Sequence, residues 1–80
     1  MKVSIWCRTG PFDSVSCRSR DLDTGLRAIA RKLGYHTDSV SLIGGEVIGS
    51  AGAEPIRQGT LCRRDKYGTH TIAKISWVKV

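Results

Sequence analysis

Acidic residues are scarce in this chain: seven Asp and Glu face thirteen Lys and Arg over 80 residues, a formal net charge of +6. The field of such a domain draws anionic partners, either nucleic acid or an acidic protein face, before any specific contact forms. Long apolar runs are missing too. No stretch approaches the roughly 20 residues of a membrane span, and Met1 to Arg8 alternates where a signal peptide would carry an apolar core. A soluble, intracellular protein without a membrane partner is expected. The three cysteines, Cys7, Cys17 and Cys62, are an odd set with no short paired spacing, so a closed disulfide framework is not implied. Together with His36 or His70 they lack the CxxC or HxxxH clips that pre-pair zinc ligands. No cofactor or metal is expected.

Catalytic and nucleotide-binding motifs are also lacking. The glycines of Gly44 to Gly52 would leave backbone N–H groups free to wrap an anion. They lead through Ala53 and Glu54 to Pro55, however, and not to the Gly-Lys-Ser/Thr that opens a helix in a phosphate loop. A flexible hairpin connection is the simpler reading of that segment. Cys62 and His70 face each other across the last hairpin, but an activated thiolate needs hydrogen-bond reach and a third orienting group, which nothing here specifies. His36, just after the helix, is read as support for its C-terminus. The chain reads as a binding protein and not an enzyme.

Composition is otherwise that of a folded domain: 40% hydrophobic and 25% charged, with no low-complexity tract that would argue for disorder. Residues 1–80 have room for a single domain with a small core. Val3, Ile5 and Cys7 alternate with Ser4, Trp6 and Arg8, a period of two that reads as a strand ended by Gly10 and Pro11. A second strand over 14–20 has Val15 and Cys17 inward and Ser16, Arg18 and Arg20 outward, so the first two strands form a hairpin. Cys7 and Cys17 then read as small core hydrophobes. A bridge between them is geometrically open, but a reducing cytoplasm argues against it.

The apolar stripe Leu22, Leu26, Ile29, Ala30 and Leu33 predicts a helix, with Asp21 as N-cap and Gly34 as its stop. Arg27 and Arg31 point away from that stripe and Lys32 flanks it. Asp23, four residues before Arg27, makes a solvated ion pair with one spare arginine as good a reading as a binding ridge. Val40 and Leu42 indicate a third strand, residues 44–58 are left without a defined conformation, and Gly59 to Arg64 and Thr69 to Val80 flank the turn Asp65-Lys66-Tyr67-Gly68. If two copies pair, an edge strand such as Thr71 to Val80 would serve; a monomer is otherwise expected.

These elements predict an α+β fold, an antiparallel sheet of four to five strands with one helix on one face, in the order ββαβββ. The uncovered face is then basic. It carries Trp6, Arg8, Arg18, Arg20 and Lys74, with Arg63 or Arg64 according to a register the sequence leaves open. Trp6 among arginines is a stacking platform or a protein anchor, unless it tucks under a loop. A nucleic-acid module would neutralise phosphates with little regard for sequence. The Lys/Arg-Gly-Phe-Gly-Phe signature of RNA-recognition sheets is missing, and a single helix excludes a helix-turn-helix. A protein antagonist would instead use arginine and tryptophan as anchors on a larger complex.

In the alternation Met1-Lys2-Val3-Ser4-Ile5, in the run from Ser16 to Gly34 with Leu-Arg-Ala-Ile-Ala-Arg-Lys at 26–32, and in the C-terminal hairpin, the chain resembles the small phage-encoded anti-CRISPR proteins, in particular the compact type I inhibitors. The resemblance spans nearly the whole chain as a pattern of size and order, without a diagnostic motif. It implies a non-enzymatic inhibitor in the host bacterial cytoplasm that binds the crRNA-guided Cascade complex, on a Cas backbone or large subunit, and keeps target DNA off it. By position it points to Arg27, Arg31 and Lys32 as contact residues, to which the alternation of the strands adds Trp6, Arg8, Arg18, Arg20, Arg63 and Lys74 as partner-binding candidates. The positive charge departs from the acidic DNA-mimicking inhibitors, so occlusion of a Cas surface, with incidental non-specific DNA contact, is the expected mode.

Overall fold

The computed structural model describes residues 2–36 and 39–80, so Met1 of the N-terminal alternation lies outside the described residues. Those residues form β1 (Val3–Arg8), β2 (Ser14–Ser19), helix α1 (Leu22–Lys32), β3 (Val40–Ala51), β4 (Glu54–Asp65) and β5 (Gly68–Lys79). The strands make one antiparallel sheet in the order β2-β1-β5-β4-β3, which gives the α+β class. The C-terminal strand, the sequence's candidate for a free edge, is therefore the central one. Its position follows from long-range pairing on both sides, with β1 and with β4, which local alternation does not reveal.

Helix α1 begins where Asp21, in extended backbone, accepts the Thr24 N–H at 2.8 Å, satisfying a donor the helix cannot pair internally. It ends at Gly34, whose φ of +88° suits a residue without Cβ. There the Gly34 N–H donates to Arg31 O at 3.0 Å and the Tyr35 N–H to Ala30 O at 2.9 Å, the paired closure of a Schellman motif. Leu26, Ile29 and Ala30 are buried, and Leu26 and Ile29 join a cluster with Val3, Ile5, Cys7, Leu61, Ile75 and Trp77. The helix comes close to the sheet at Gly25, where an added Cβ would overlap Ile5 Cδ1 and crowd Ser19 Cβ at 3.3 Å.

Residues 44–58 are not a loose connection. They belong to the long hairpin of β3 and β4, which carries register shifts between Ile43 and Glu46 and between Val47 and Gly49. Gly44 and Gly45, with φ of +87° and +158°, make the first shift and hide the strand from a period-two reading. Trp77 rests on the helix side of this hairpin, with its ring edge over Gly45 and Gly59. Cys17 lies opposite Ile5 and Cys7 opposite Val15, and all three cysteines are free.

At Gly59 a Cβ would stand 3.0 Å from Ile43 O, 3.0 Å from Leu42 Cδ1 and 3.2 Å from the Trp77 ring. Gly59→Ala should therefore destabilise the fold by about 1–3 kcal/mol, the usual cost of overpacking. Chemical denaturation checks this, and an unchanged midpoint would show that the β3–β4 hairpin and Trp77 separate at no cost.

The Asp21 carboxyl is held below its ordinary value, first by the Thr24 backbone N–H and then by the Thr24 side chain, with Arg20 and Arg27 adding a smaller pull. A carboxyl depressed on folding contributes stability above its unfolded pKa and loses it as pH falls through the folded one. Asp21→Asn caps at every pH. The melting temperature of the wild type should thus fall relative to that of Asp21→Asn once pH drops below the ordinary value of 3.8.

Candidate functional site

The sheet face away from α1 is assembled by alternation. On β1, Val3, Ile5 and Cys7 enter the core, which turns Ser4, Trp6 and Arg8 the other way. Registers with β2 and β5 then place Ser16 and Ser76 on either side of Trp6, and Arg18 and Val78 on either side of Ser4. One step past the Cys7–Ile75 pair, Arg8 comes beside Lys74. Farther across, Gln58 follows Ser76 and Thr60 follows Lys74, with Glu46 and Ile43 at the far edge.

Trp6 is half-buried, and the serines flanking it are too short to cover its ring. It lines an opening of about 370 Å³ with Arg8, Gln58, Ile72, Ala73, Lys74 and Ser76. Arg8 lies two steps from Trp6 along β1, roughly 7 Å at the usual rise per residue, and Arg18 lies two steps the other way and one strand across, on β2 opposite Ser4. Cation, aromatic ring and paired cations therefore run diagonally from β2 over β1 to β5.

Cations dominate the Trp6 end of this face, and Glu46 lies at its far edge, where it lines an opening with Gln58 and Lys74. β1, β2 and β5 contain no Asp or Glu. Arg8 Nη2 donates to Pro11 O at 3.1 Å, a contact that orients the guanidinium without neutralising it. Like charges side by side on a sheet are destabilising, so Arg8 and Lys74 gain most from an anion between them.

The remaining residues singled out from sequence are dispersed. Arg27 Nη2 pairs with Asp23 at 3.3 Å, and Lys32 Nζ donates to Ser16 O at 2.7 Å, so two of the three helix cations are engaged within the chain. The side chain of Arg31 is exposed and, among the described residues, makes neither ion pair nor hydrogen bond. Arg20 lies off the outer face, beside Asp21 at 3.6 Å and at the mouth of a groove on the helix side with Leu22, Pro55 and Trp77. The register that the sequence left open puts Arg63 on the helix side, opposite Val40, where Asp65 sits 3.8 Å away. Arg64 takes the outer side. Gln58 and Ser76 are additions from the structure; Gln58 fell within the undetermined 44–58 segment, and only the β4 register places it beside the site.

The last hairpin does not set Cys62 opposite His70. His70 lies opposite Arg63 and contacts Asp65 at 3.4 Å, while Cys62 lies opposite Thr71. The Asp65 carboxyl is held below its ordinary value chiefly by the Tyr67 backbone N–H, with His70 and Arg63 contributing. Burial pushes the Cys7 thiol up, away from the reactive thiolate. Among the described residues no three His, Cys, Asp or Glu side chains cluster to hold a metal, and no helix is long and apolar enough to cross a membrane.

The geometry suits an extended anion with flat groups, its charges on Arg18, Arg8 and Lys74 and one ring on Trp6. No family model, curated protein or solved structure matches the chain.

Proposed function

We propose that this protein is a small nucleic-acid-binding domain that takes a single strand along the open face of its sheet, with phosphate contacts that are largely independent of sequence. The observation that supports it most is Trp6, half-buried and uncovered, between Arg18 and the Arg8–Lys74 pair on strands without acid. Base–aromatic stacking tolerates any base because every base has a π face, and the cations supply attraction that is sensitive to salt. Ser4, Ser16 and Gln58 add donors and acceptors for sugar and base edges.

Labelled oligonucleotides titrated across a salt series test this. Trp6→Ala should cost about 1–3 kcal/mol on a single strand, the usual worth of one stacked base. Lys74→Ala should lower the salt slope by about one. Equal affinity of wild type and Trp6→Ala for a single strand would remove stacking from the mechanism. A preference for duplex unaffected by Trp6→Ala would leave only charge.

The inhibitor reading raised by the resemblance rests on the helix cations, and the engagement of Arg27 and Lys32 within the chain weighs against it. Its own test is capture of a purified crRNA-loaded Cascade complex. Under that reading Arg27→Glu with Arg31→Glu abolishes capture in a folded protein, whereas under ours wild type is not retained by Cascade at salt that strips oligonucleotides from Trp6.

A further inference from the structure

The two edges of the sheet are treated differently. On β2, six residues long, Lys32 fills the Ser16 carbonyl, and Arg18 and Arg20 stand nearby. This is how natural proteins blunt an edge against pairing, with a short strand and cations. β3 is neither short nor cationic, and its protection is limited to the two register shifts and to Arg57, which reaches across from β4 to donate to Gly45 O at 2.9 Å. It runs twelve residues without Lys, Arg or Pro, its one charge is Glu46, and Ile43, Val47 and Ile48 are 56%, 55% and 53% exposed.

Charge is segregated in the same sense. Residues 33–56 contain no Lys or Arg but three acids, Asp38, Glu46 and Glu54, whereas the rest of the chain holds all thirteen cations against the remaining four acids. Two copies, each at +6, repel over most of their surfaces. β3 has no cation of its own, although Arg57 reaches onto it at Gly45, and a register centred beyond Glu46 keeps the two Glu46 carboxylates from facing each other.

The tip of this hairpin has a further need. Pairs Gly49–Ile56, Ser50–Pro55 and Ala51–Glu54 lie beyond Arg57–Trp77, where the pairing of β4 with β5 stops. A two-stranded ribbon by itself is marginal in water. A third strand on its free side would satisfy the open backbone groups and cover the aliphatic side chains.

We propose that β3 is a homotypic interface, on which the β3 strand of a second copy pairs antiparallel about a two-fold axis. Such a contact is isologous and closes at two chains, so it does not propagate into fibres. The two register shifts confine regular pairing to short runs, and Val47 and Ile48 supply the packing between them. The axis stands perpendicular to the sheet, so both Trp6 faces come to lie on the same side.

The experiment is sedimentation analysis of nuclease-treated protein over a hundredfold range of concentration. Wild type should approach twice the 8.8 kDa chain mass. Val47→Lys with Ile48→Lys, at positions more than half exposed, should stay at one chain mass with an unchanged circular dichroism spectrum, while Arg18→Glu on the other edge strand should dimerise as wild type does. A wild type that remains at one chain mass throughout overturns the proposal, as does a dimer that survives in the Val47/Ile48 variant. Oligonucleotide binding by the monomeric variant is read separately: its loss would count against the sheet-face reading and leave the β3 contact standing.

Discussion

The close approach of α1 to β1 at Gly25 is the contact on which the arrangement depends. Without a Cβ there, the helix settles onto Ile5, and Leu26 and Ile29 reach the cluster formed by Val3, Cys7 and Ile75. One eleven-residue helix is too narrow to roof five strands. It lies over β1 and β2 and reaches Ile75 and Leu61 through Leu26 and Ile29, and leaves the helix-side face of the β3–β4 hairpin beyond them to Trp77 and to solvent. It cannot reach the opposite face, which is exposed at Arg8, Arg18 and Lys74 while Ser76 and Val78 at its centre are 8% and 7% exposed. The basic face and the uncovered hairpin are both consequences of having a single helix, placed at one end.

Trp77 answers part of that deficit. The outer edge of its indole fits where Gly45 and Gly59 leave room, extending the core past the reach of the helix. Gly45, which accepts the ring, also forms with Gly44 the first bulge of β3. The bulges, the tryptophan and the exposed aliphatics beyond them are thus one adjustment of a sheet with too little cover.

How much of this was legible depends on how local each feature is. β1, β2 and β5 alternate strictly around Val3-Ile5-Cys7, Val15-Cys17 and Ala73-Ile75-Trp77, and α1 has a full apolar stripe with cap and stop, so their positions and faces follow from the residues. β3 was truncated because Gly44, Gly45 and Gly49 break the alternation at register shifts that exist only in its pairing with β4. The choice between Arg63 and Arg64 rested on the same missing register. The rank of each strand in the sheet is non-local as well: nothing within Gly68–Lys79 distinguishes a central strand from an edge. For the site, Trp6, Arg8, Arg18 and Lys74 were gathered by alternation alone, whereas the engagement of Lys32 with a carbonyl sixteen residues away needed the folded chain.

The division of charge gives the two surfaces different physics. Phosphate binding on the Trp6 face weakens steeply with salt because it releases counterions. Contact along β3 is aliphatic and hydrogen-bonded, and salt acts on it mainly by screening the repulsion between two +6 chains. Salt therefore moves the two equilibria in opposite directions. A polyanion bound across both Trp6 faces would neutralise that repulsion without any need for salt, so nucleic acid itself should favour the paired state: a strand long enough to reach both faces binds more tightly than two short ones, by an effective concentration that the fixed two-fold geometry sets.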